Sequence, residues 1–339
     1  ILVINNRSPS TGIGNYGCQL VKHLKMMGQK GVDFISLSSS AEDSYGGTID
    51  LFYQKTKRII DHLLFIRRIP RDYEIYHLLN PNLGVLSLRH RPIVMTVHDI
   101  LPFIPMASRD IITQSYGLDM PILMAMQVNM RFVRNADMII SVSQHTKNDL
   151  ISLLRVDAQR IKVVYPGIDR NLFRPREKEG ARRSLNLPLD KKIILHVGVD
   201  EPRKNVRTLV EAFYRVRKNF PEALLIRIGG MRETTRKLIS SLGLERVVLH
   251  YRKIASVALF YNAADLFAYP SYYEGFGFPL VEAMASGCPV IAGECSSIPE
   301  VVEKVGVLFP PFDVASLNES IRQVLIDHET RVAMINSGL

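Results

Sequence analysis

The run Ala268-Tyr269-Pro270-Ser271-Tyr272-Tyr273-Glu274-Gly275-Phe276-Gly277-Phe278-Pro279-Leu280-Val281-Glu282-Ala283-Met284-Ala285-Ser286-Gly287 decides both the fold and the chemistry of this chain. A short apolar strand over 266–268 feeds into it and ends near Pro270. A glycine-rich loop follows. Pro279 then suits the first turn of a helix, where its missing N–H costs nothing. Gly287 ends that helix and Pro289 stops any continuation. The helix start presents unpaired N–H groups and the positive end of a dipole, which suits phosphate. Gly275 and Gly277 let a ligand approach the backbone closely. Glu282 falls one turn into the helix, where a carboxylate can accept two hydrogen bonds from a vicinal diol such as a ribose. Glu274, in the loop, lies on the other side of the phosphate position and can accept from sugar hydroxyls. Two carboxylates flanking a phosphate-binding loop fit a sugar–diphosphate–ribose ligand. The plainer alternative is a dipole-complementing Glu282 and an incidental loop charge at Glu274.

Outward from this run, short β-rich segments alternate with helical ones, the pattern of parallel sheets covered by helices. The first half offers strands over 1–4, 32–37, 75–79, 93–97, 138–142 and 161–164, with helices between them over 15–27 and 144–154 among others. A polar stretch between Pro175 and Pro188 reads as a linker. A second series follows over 192–197, 224–228, 247–250, 266–268, 290–292 and 307–309. The expected fold is α/β, with two doubly wound Rossmann-like domains. These span 1–175 and 191–339, joined by a linker at 176–190. A length of 339 residues suits two domains. Ligands of such sheets bind at the carboxyl ends of the strands, and a cleft between two such domains is the natural site.

Bulk properties narrow the function. The chain is 47% apolar and has no run of about 18 apolar residues, so no spanning segment is expected. It opens inside an apolar strand without Met and stops within its last helix, so trimmed ends are expected. Cys18, Cys288 and Cys295 form no C-x-x-C pair, which argues against a zinc site or disulfide framework and fits a cytoplasmic protein. The net charge of +10 can attract anions. Its sharpest concentration is Lys55-Thr-Lys57-Arg58 and Arg67-Arg68-Ile-Pro-Arg71, flanking apolar residues at helical spacing. Residues 55–71 therefore read as a peripheral contact with the anionic inner face of a membrane, or as a solvated helix packed on its own domain. No nucleic acid is expected as a partner.

Gly12-Ile-Gly14-Asn-Tyr-Gly17 matches the dinucleotide fingerprint G-x-G-x-x-G. Its context does not. Seven residues separate it from the first strand, and the second strand has no acidic residue at its carboxyl end, since Asp33 stands at the beginning. The motif reads instead as a loop ahead of a helix, able to close on a diphosphate or position an acceptor.

Glu274 and Glu282 form an E-x7-E motif within Tyr-Glu-Gly-Phe-Gly-Phe-Pro-x-x-Glu-Ala-Met-Ala-x-Gly-x-Pro-Val. This closely resembles the retaining glycosyltransferases of family 4, which have the GT-B fold. The resemblance extends over nearly the whole chain, through Thr11-Gly-Ile-Gly14, Thr96-Val-His98-Asp99, Ser141-Val-Ser143, Tyr165-Pro-Gly-Ile-Asp169, Val197-Gly198, Arg203-Lys204-Asn205 and Ile298-Pro-Glu300. It implies an acceptor-side first domain and a nucleotide-sugar-binding second one. Arg203 and Lys204, at a strand's carboxyl end, would neutralise the leaving diphosphate. His98 would sit near the donor sugar, with Asp99 orienting it or an acceptor hydroxyl. Gly12, Gly14, Gly198, Gly275, Phe276, Gly277, Phe278 and Glu282 would bind the donor, with Glu274 on its sugar. Arg252-Lys253 and Glu300 match positions near the nucleotide. No D-x-D pair stands in a fitting position, so no metal or other cofactor is expected.

The expected activity is retaining transfer of a hexosyl group, mannose from GDP-mannose, to a hydroxyl of a glycan or lipid-linked acceptor. The weighed alternatives are a nucleotide-sugar epimerase or phosphorylase on the same fold, and a non-catalytic GT-B partner subunit. A phosphorylase would need a pyridoxal-phosphate lysine and a longer chain.

Overall fold

The computed structural model describes residues 1–5, 12–36, 66–104, 120–252, 254–303 and 305–339. They divide into a first unit ending at Pro166 and a second, Gly167–Leu339. Most of the basic 55–71 stretch, the 6–11 segment and Lys253 lie outside the described residues.

The first unit is built on six parallel strands: β1 (Leu2–Asn5), β2 (Asp33–Ser36), β3 (Tyr76–Leu78), β4 (Ile93–Val97), β5 (Met138–Ser141) and β6 (Ile161–Val163). Their order is β2-β1-β3-β4-β5-β6. Leu2, Val3 and Ile4 are consecutive and all fully buried. Strands covered on both faces read as unbroken apolar runs in this way. Asp33, at the amino end of β2, accepts a hydrogen bond from the Tyr73 hydroxyl at 2.7 Å.

The glycine motif sits differently from the expected loop. The helix Gly12–Met26 begins at Gly12 itself, and Gly14 and Gly17 are buried within it. A Cβ on Gly17 would lie 2.5 Å from Leu79 Cδ1, so the helix can pack on the sheet only where a side chain is missing. Gly17 therefore serves helix–sheet packing, whereas a Cβ on Gly12 would meet nothing within 4 Å.

The second unit holds β7 (Ile193–Val197), β8 (Leu224–Ile228), β9 (Val248–Tyr251), β10 (Leu266–Tyr269), β11 (Val290–Gly293) and β12 (Val307–Phe309). All are parallel, in the order β12-β11-β10-β7-β8-β9. The chain starts in the middle at β7, winds out to β9, then returns to the other side of β7 with β10. The strand order therefore reverses between β7 and β10, and ligands of doubly wound sheets bind outside the carboxyl ends at such a reversal. One apolar layer, including Leu195, Phe267 and Leu280, covers one face. Another, including Ile194, Leu209, Phe213 and Ile321, covers the other.

Residues 176–190, expected as a linker, carry the helix Lys178–Ser184, and they pack on the second unit. Arg182 is 4% exposed. It donates to the Ala263 carbonyl at 2.9 Å and to Asp265 at 2.8 Å, and Asp265 in turn accepts from the Ile193 amide at 2.7 Å. Among the described residues no helix is long and apolar enough to cross a membrane.

Candidate active site

The site in the second unit forms where the loops after β7 and β10 meet. After β7, Gly198 turns the chain at φ +151°. A short turn over Pro202–Lys204 then delivers two adjacent cations. After β10, the loop brings Glu274 back toward them. Arg203 Nη1 donates to Glu274 Oε2 at 2.8 Å, and Lys204 Nζ donates to Glu274 Oε1 at 2.6 Å. Lys204 also donates to the Tyr269 hydroxyl at 2.8 Å, and Arg203 Nε to Glu201 Oε2 at 2.7 Å. Glu274 and Lys204 are 7% and 8% exposed. Burial alone would raise the Glu274 carboxyl, but the charges of Arg203 and Lys204 outweigh it and hold the pKa at about 2. The carboxylate is thus firmly ionised. Two cations from this turn thus meet two carboxylates, Glu201 beside it and Glu274 from the loop after β10.

The loop is pinned from a third direction. The Glu274 amide donates to Ser296 Oγ at 2.9 Å, and Ser297 Oγ donates to the carbonyls of Glu274 and Phe276 at 2.9 and 3.1 Å. Neither serine was a sequence candidate. They precede Ile298-Pro-Glu300, and nothing in their local spacing links them to a loop twenty residues earlier. Glu300 itself stands in the first turn of the helix Ile298–Val302.

Gly277 caps the helix Phe278–Ala285 at φ +104°, and no side chain caps that end. Phe276 and Phe278 flank it, their rings edge to face at 5.6 Å. The amino end of the helix is therefore left to backbone N–H groups, the arrangement that receives phosphate. Gly277→Ala should fold with reduced stability, by about 1–2 kcal/mol for a side chain in left-handed backbone. Its Cβ would also press on Leu280 Cδ1 at 2.9 Å. Thermal unfolding and nucleotide titration should both register the change; unchanged values for both would remove Gly277 from the site.

Glu282 lies on the same helix, half-buried, and its Oε2 accepts from the Tyr261 hydroxyl at 2.9 Å. Burial pushes its carboxyl up to about 7, against the lowering effect of that hydrogen bond. The two carboxylates of the E-x7-E motif thus have opposite electrostatics. Tyr261 was not singled out from the sequence, because a tyrosine inside an apolar helix reads as core.

In the first unit, His98 follows β4 and is 9% exposed. Its Nε2 has no hydrogen-bond partner among the described residues. Burial, with a smaller contribution from His77, lowers its pKa to about 4, so the ring is neutral at pH 7. Tyr16, from the glycine-rich helix, packs edge-on against it at 5.0 Å. His77 Nε2 bonds Thr96 Oγ1 at 2.8 Å. Asp99 does not orient His98: its Oδ1 accepts from the Leu101 amide at 3.1 Å, closing the turn that follows β4. Among the described residues, no three His, Cys, Asp or Glu side chains group as metal ligands.

Comparison with known proteins identifies the family. Residues 177–339 match the family model "Glycosyl transferases group 1" and residues 10–172 match "Glycosyltransferase Family 4". A D-inositol 3-phosphate glycosyltransferase of Corynebacterium efficiens is 31% identical over 80% of this chain and 68% of its own. The O-antigen chain mannosyltransferase B of Escherichia coli is 29% identical over 98% of this chain and 91% of its own. The solved sucrose-phosphate synthase from Thermosynechococcus elongatus superposes with a TM-score of 0.78 at 24% identity, over 99% of this chain and 92% of that one, and shares the fold. The two parallel α/β units, the cation pair after β7 and the paired glutamates after β10 thus belong to a sugar-transferring enzyme, and the chain belongs to glycosyltransferase family 4.

Proposed function

We propose that this glycosyltransferase moves a hexosyl group from a nucleoside-diphosphate sugar, with GDP-mannose as donor, to a hydroxyl of a glycan or glycolipid, with retained anomeric configuration. The observation that carries this reading is the Arg203–Glu274–Lys204 cluster at the strand-order reversal, beside the open amino end of Phe278–Ala285. Arg203 and Lys204 bind the diphosphate, and their attraction grows as the leaving group gains charge. Glu274 accepts from donor-sugar hydroxyls and Glu282 from the ribose. Gly198, Gly275, Phe276, Gly277 and Phe278 shape the donor pocket. Within the first unit, the neutral ring of His98 is available as a hydrogen-bonding group. The bond from the anomeric carbon to the phosphate oxygen breaks, the acceptor oxygen forms the new bond on the same face, and the acceptor proton passes to the leaving diphosphate. The cations and the helix end do the work a divalent metal would do. Mannose rests on the near full-length similarity to the O-antigen mannosyltransferase. Residues 55–71 would hold the enzyme peripherally at the cytoplasmic face of an anionic membrane.

GDP should raise the unfolding temperature more than UDP or ADP, and GDP-mannose should turn over with acceptor while EDTA leaves the rate unchanged. Stabilisation by no nucleotide would favour a non-catalytic subunit. Donor consumption without acceptor would favour an epimerase. An inverted product would remove the retaining mechanism.

A further inference from the structure

Beneath the turn that carries Arg203 and Lys204 lies a buried polar pair that the site chemistry does not use. His196 on β7 and Arg227 on β8 are register partners across the sheet. Both are fully buried. Arg227 Nη1 lies 3.1 Å from His196 Nδ1 and donates to the Gly198 carbonyl at 2.8 Å, while Nη2 donates to the Gly230 carbonyl at 2.6 Å. A guanidinium has donors only, so His196 Nδ1 must accept and the neutral ring carries its proton on Nε2.

Those two carbonyls belong to the turns that leave β7 and β8. Gly198 is at φ +151° and Gly229 at φ +118°. A Cβ on Gly229 would lie 2.3 Å from the Gly198 oxygen, so the two turns press together. The Asp200 amide donates to the Gly230 carbonyl at 3.1 Å, and Asp200 Oδ2 accepts from the Arg232 amide at 2.9 Å. Asp200 Oδ2 also stands 4.0 Å from Arg227 Nη2. On the other side, the Gly198 α-carbon is flanked by His196 Cε1 and the Lys204 stem, at 3.6 and 3.7 Å from a Cβ built there.

Burying a guanidinium is costly, and an apolar pair would cover this sheet face more cheaply. What an apolar pair could not do is hold two turn carbonyls at fixed positions. We propose that Arg227, held by His196, is a positioning residue for the diphosphate-binding cations: it ties the Gly198 and Gly230 carbonyls together and so fixes the turn that delivers Arg203 and Lys204. This rests on the reading of Arg203 and Lys204 as the diphosphate clamp. Neither His196 nor Arg227 touches the donor in this scheme. Both act through the backbone.

The test compares Arg227→Met, His196→Leu and His196→Asn with the wild-type chain, by release of GDP from GDP-mannose or UDP from UDP-glucose, at a temperature where each variant is folded by circular dichroism. Small displacements of reacting groups cost up to about a hundredfold in rate. Arg227→Met and His196→Leu should lower kcat at least tenfold with acceptor KM within twofold. His196→Asn keeps an acceptor near the Nδ1 position and should retain more than half of kcat. If Arg227→Met does not fold, the two His196 variants decide, since a residue with a merely structural role would leave their kcat values equal. Folded variants with kcat within twofold of wild type overturn the proposal, whatever their unfolding temperatures. Arg203→Ala and Lys204→Ala separate the two readings. Inactive clamp variants beside an active Arg227→Met sink only the positioning role, whereas fully active clamp variants sink the clamp itself.

Discussion

Glu274→Gln should lower transfer by 10²- to 10³-fold, the range seen when one preorganised polar partner is removed from a transition-state site, and should destabilise the second unit by about 3 kcal/mol. The substitution is nearly isosteric, so neither effect comes from lost volume. It removes the charge that compensates Lys204, a buried ammonium 2.6 Å from the carboxylate, and one of the two carboxylates held by Arg203. Burial already lowers the Lys204 pKa, with Glu274 the main opposing influence. Without it the ammonium loses its countercharge. The wild-type pH profile supplies an independent measure. The Glu274 pKa falls from 4.5 in the unfolded chain to about 2 in the folded one. A depressed carboxyl contributes stability that is present above its unfolded pKa and is lost as pH falls through the folded one. At about 1.4 kcal/mol per unit, this contribution is again about 3 kcal/mol. It should fade between pH 4.5 and pH 2, and Glu274→Gln should lack that limb. Denaturant titrations at pH 7, 4.5 and 3 check both claims. A variant as stable as wild type at pH 7, with the same acid limb, would dissociate Glu274 from the cation pair.

What could be read from the sequence follows from how local each signal is. Every one of the twelve described strands overlaps a stretch read as β-rich, and those buried on both faces, such as β1, β10 and β11, write themselves as continuous apolar runs. Pro279 and Gly287 bracket the helix Phe278–Ala285 because capping chemistry is confined to a few neighbouring residues. Arg203, Lys204 and Glu274 were separate candidates whose meeting depends on β7 and β10 lying side by side, a fact of strand order that no local pattern records. The residues that escaped the sequence reading act at long range. Ser296 and Ser297 hold the Glu274 loop from more than twenty residues away. His196 and Arg227 pair across a sheet, inside segments that otherwise look like plain core. Tyr261 reaches Glu282 from a neighbouring helix. The glycine motif reads as a loop ahead of a helix, but the helix already begins at Gly12, and the tight contact of Gly17 with Leu79 is made beyond another strand's end, where no local spacing records it. The polar 176–190 stretch looked like a connector until Arg182 found the Ala263 carbonyl and Asp265.

Glu282→Gln should do something that Glu274→Gln cannot, raising stability while lowering donor affinity. Burial lifts the Glu282 carboxyl from 4.5 to about 7. Between those values the unfolded chain is ionised and the folded chain still protonated, so stability declines as pH rises from 4.5 and levels off above 7. At pH 8 the wild-type enzyme carries the cost of a largely desolvated carboxylate, which the solvent still reaching this half-buried side chain brings to about 1–2 kcal/mol. A glutamine is uncharged at every pH, and its amide oxygen can still accept from the Tyr261 hydroxyl. Stability at pH 8 should therefore rise by about 1–2 kcal/mol, an increase of roughly 2–8 °C in unfolding temperature, and the gain should vanish near pH 5. Donor affinity should move the other way. An ionised carboxylate accepts both hydrogen bonds of a ribose diol, and losing a charge-assisted acceptor costs about 1.5–3 kcal/mol, or roughly tenfold to more than a hundredfold in Kd. In the wild type, GDP or UDP should then bind more weakly below pH 7 as Glu282 takes up its proton. Tyr261→Phe removes the hydrogen bond that favours the charged form, so its binding limb should shift to higher pH. Calorimetric titration between pH 5.5 and 8.5, beside thermal unfolding over the same range, measures both halves. A Glu282→Gln variant that is less stable than wild type at pH 8, or that binds GDP and UDP equally well, would refute the ribose role, because the raised pKa and the recognition of the diol both depend on one desolvated carboxylate.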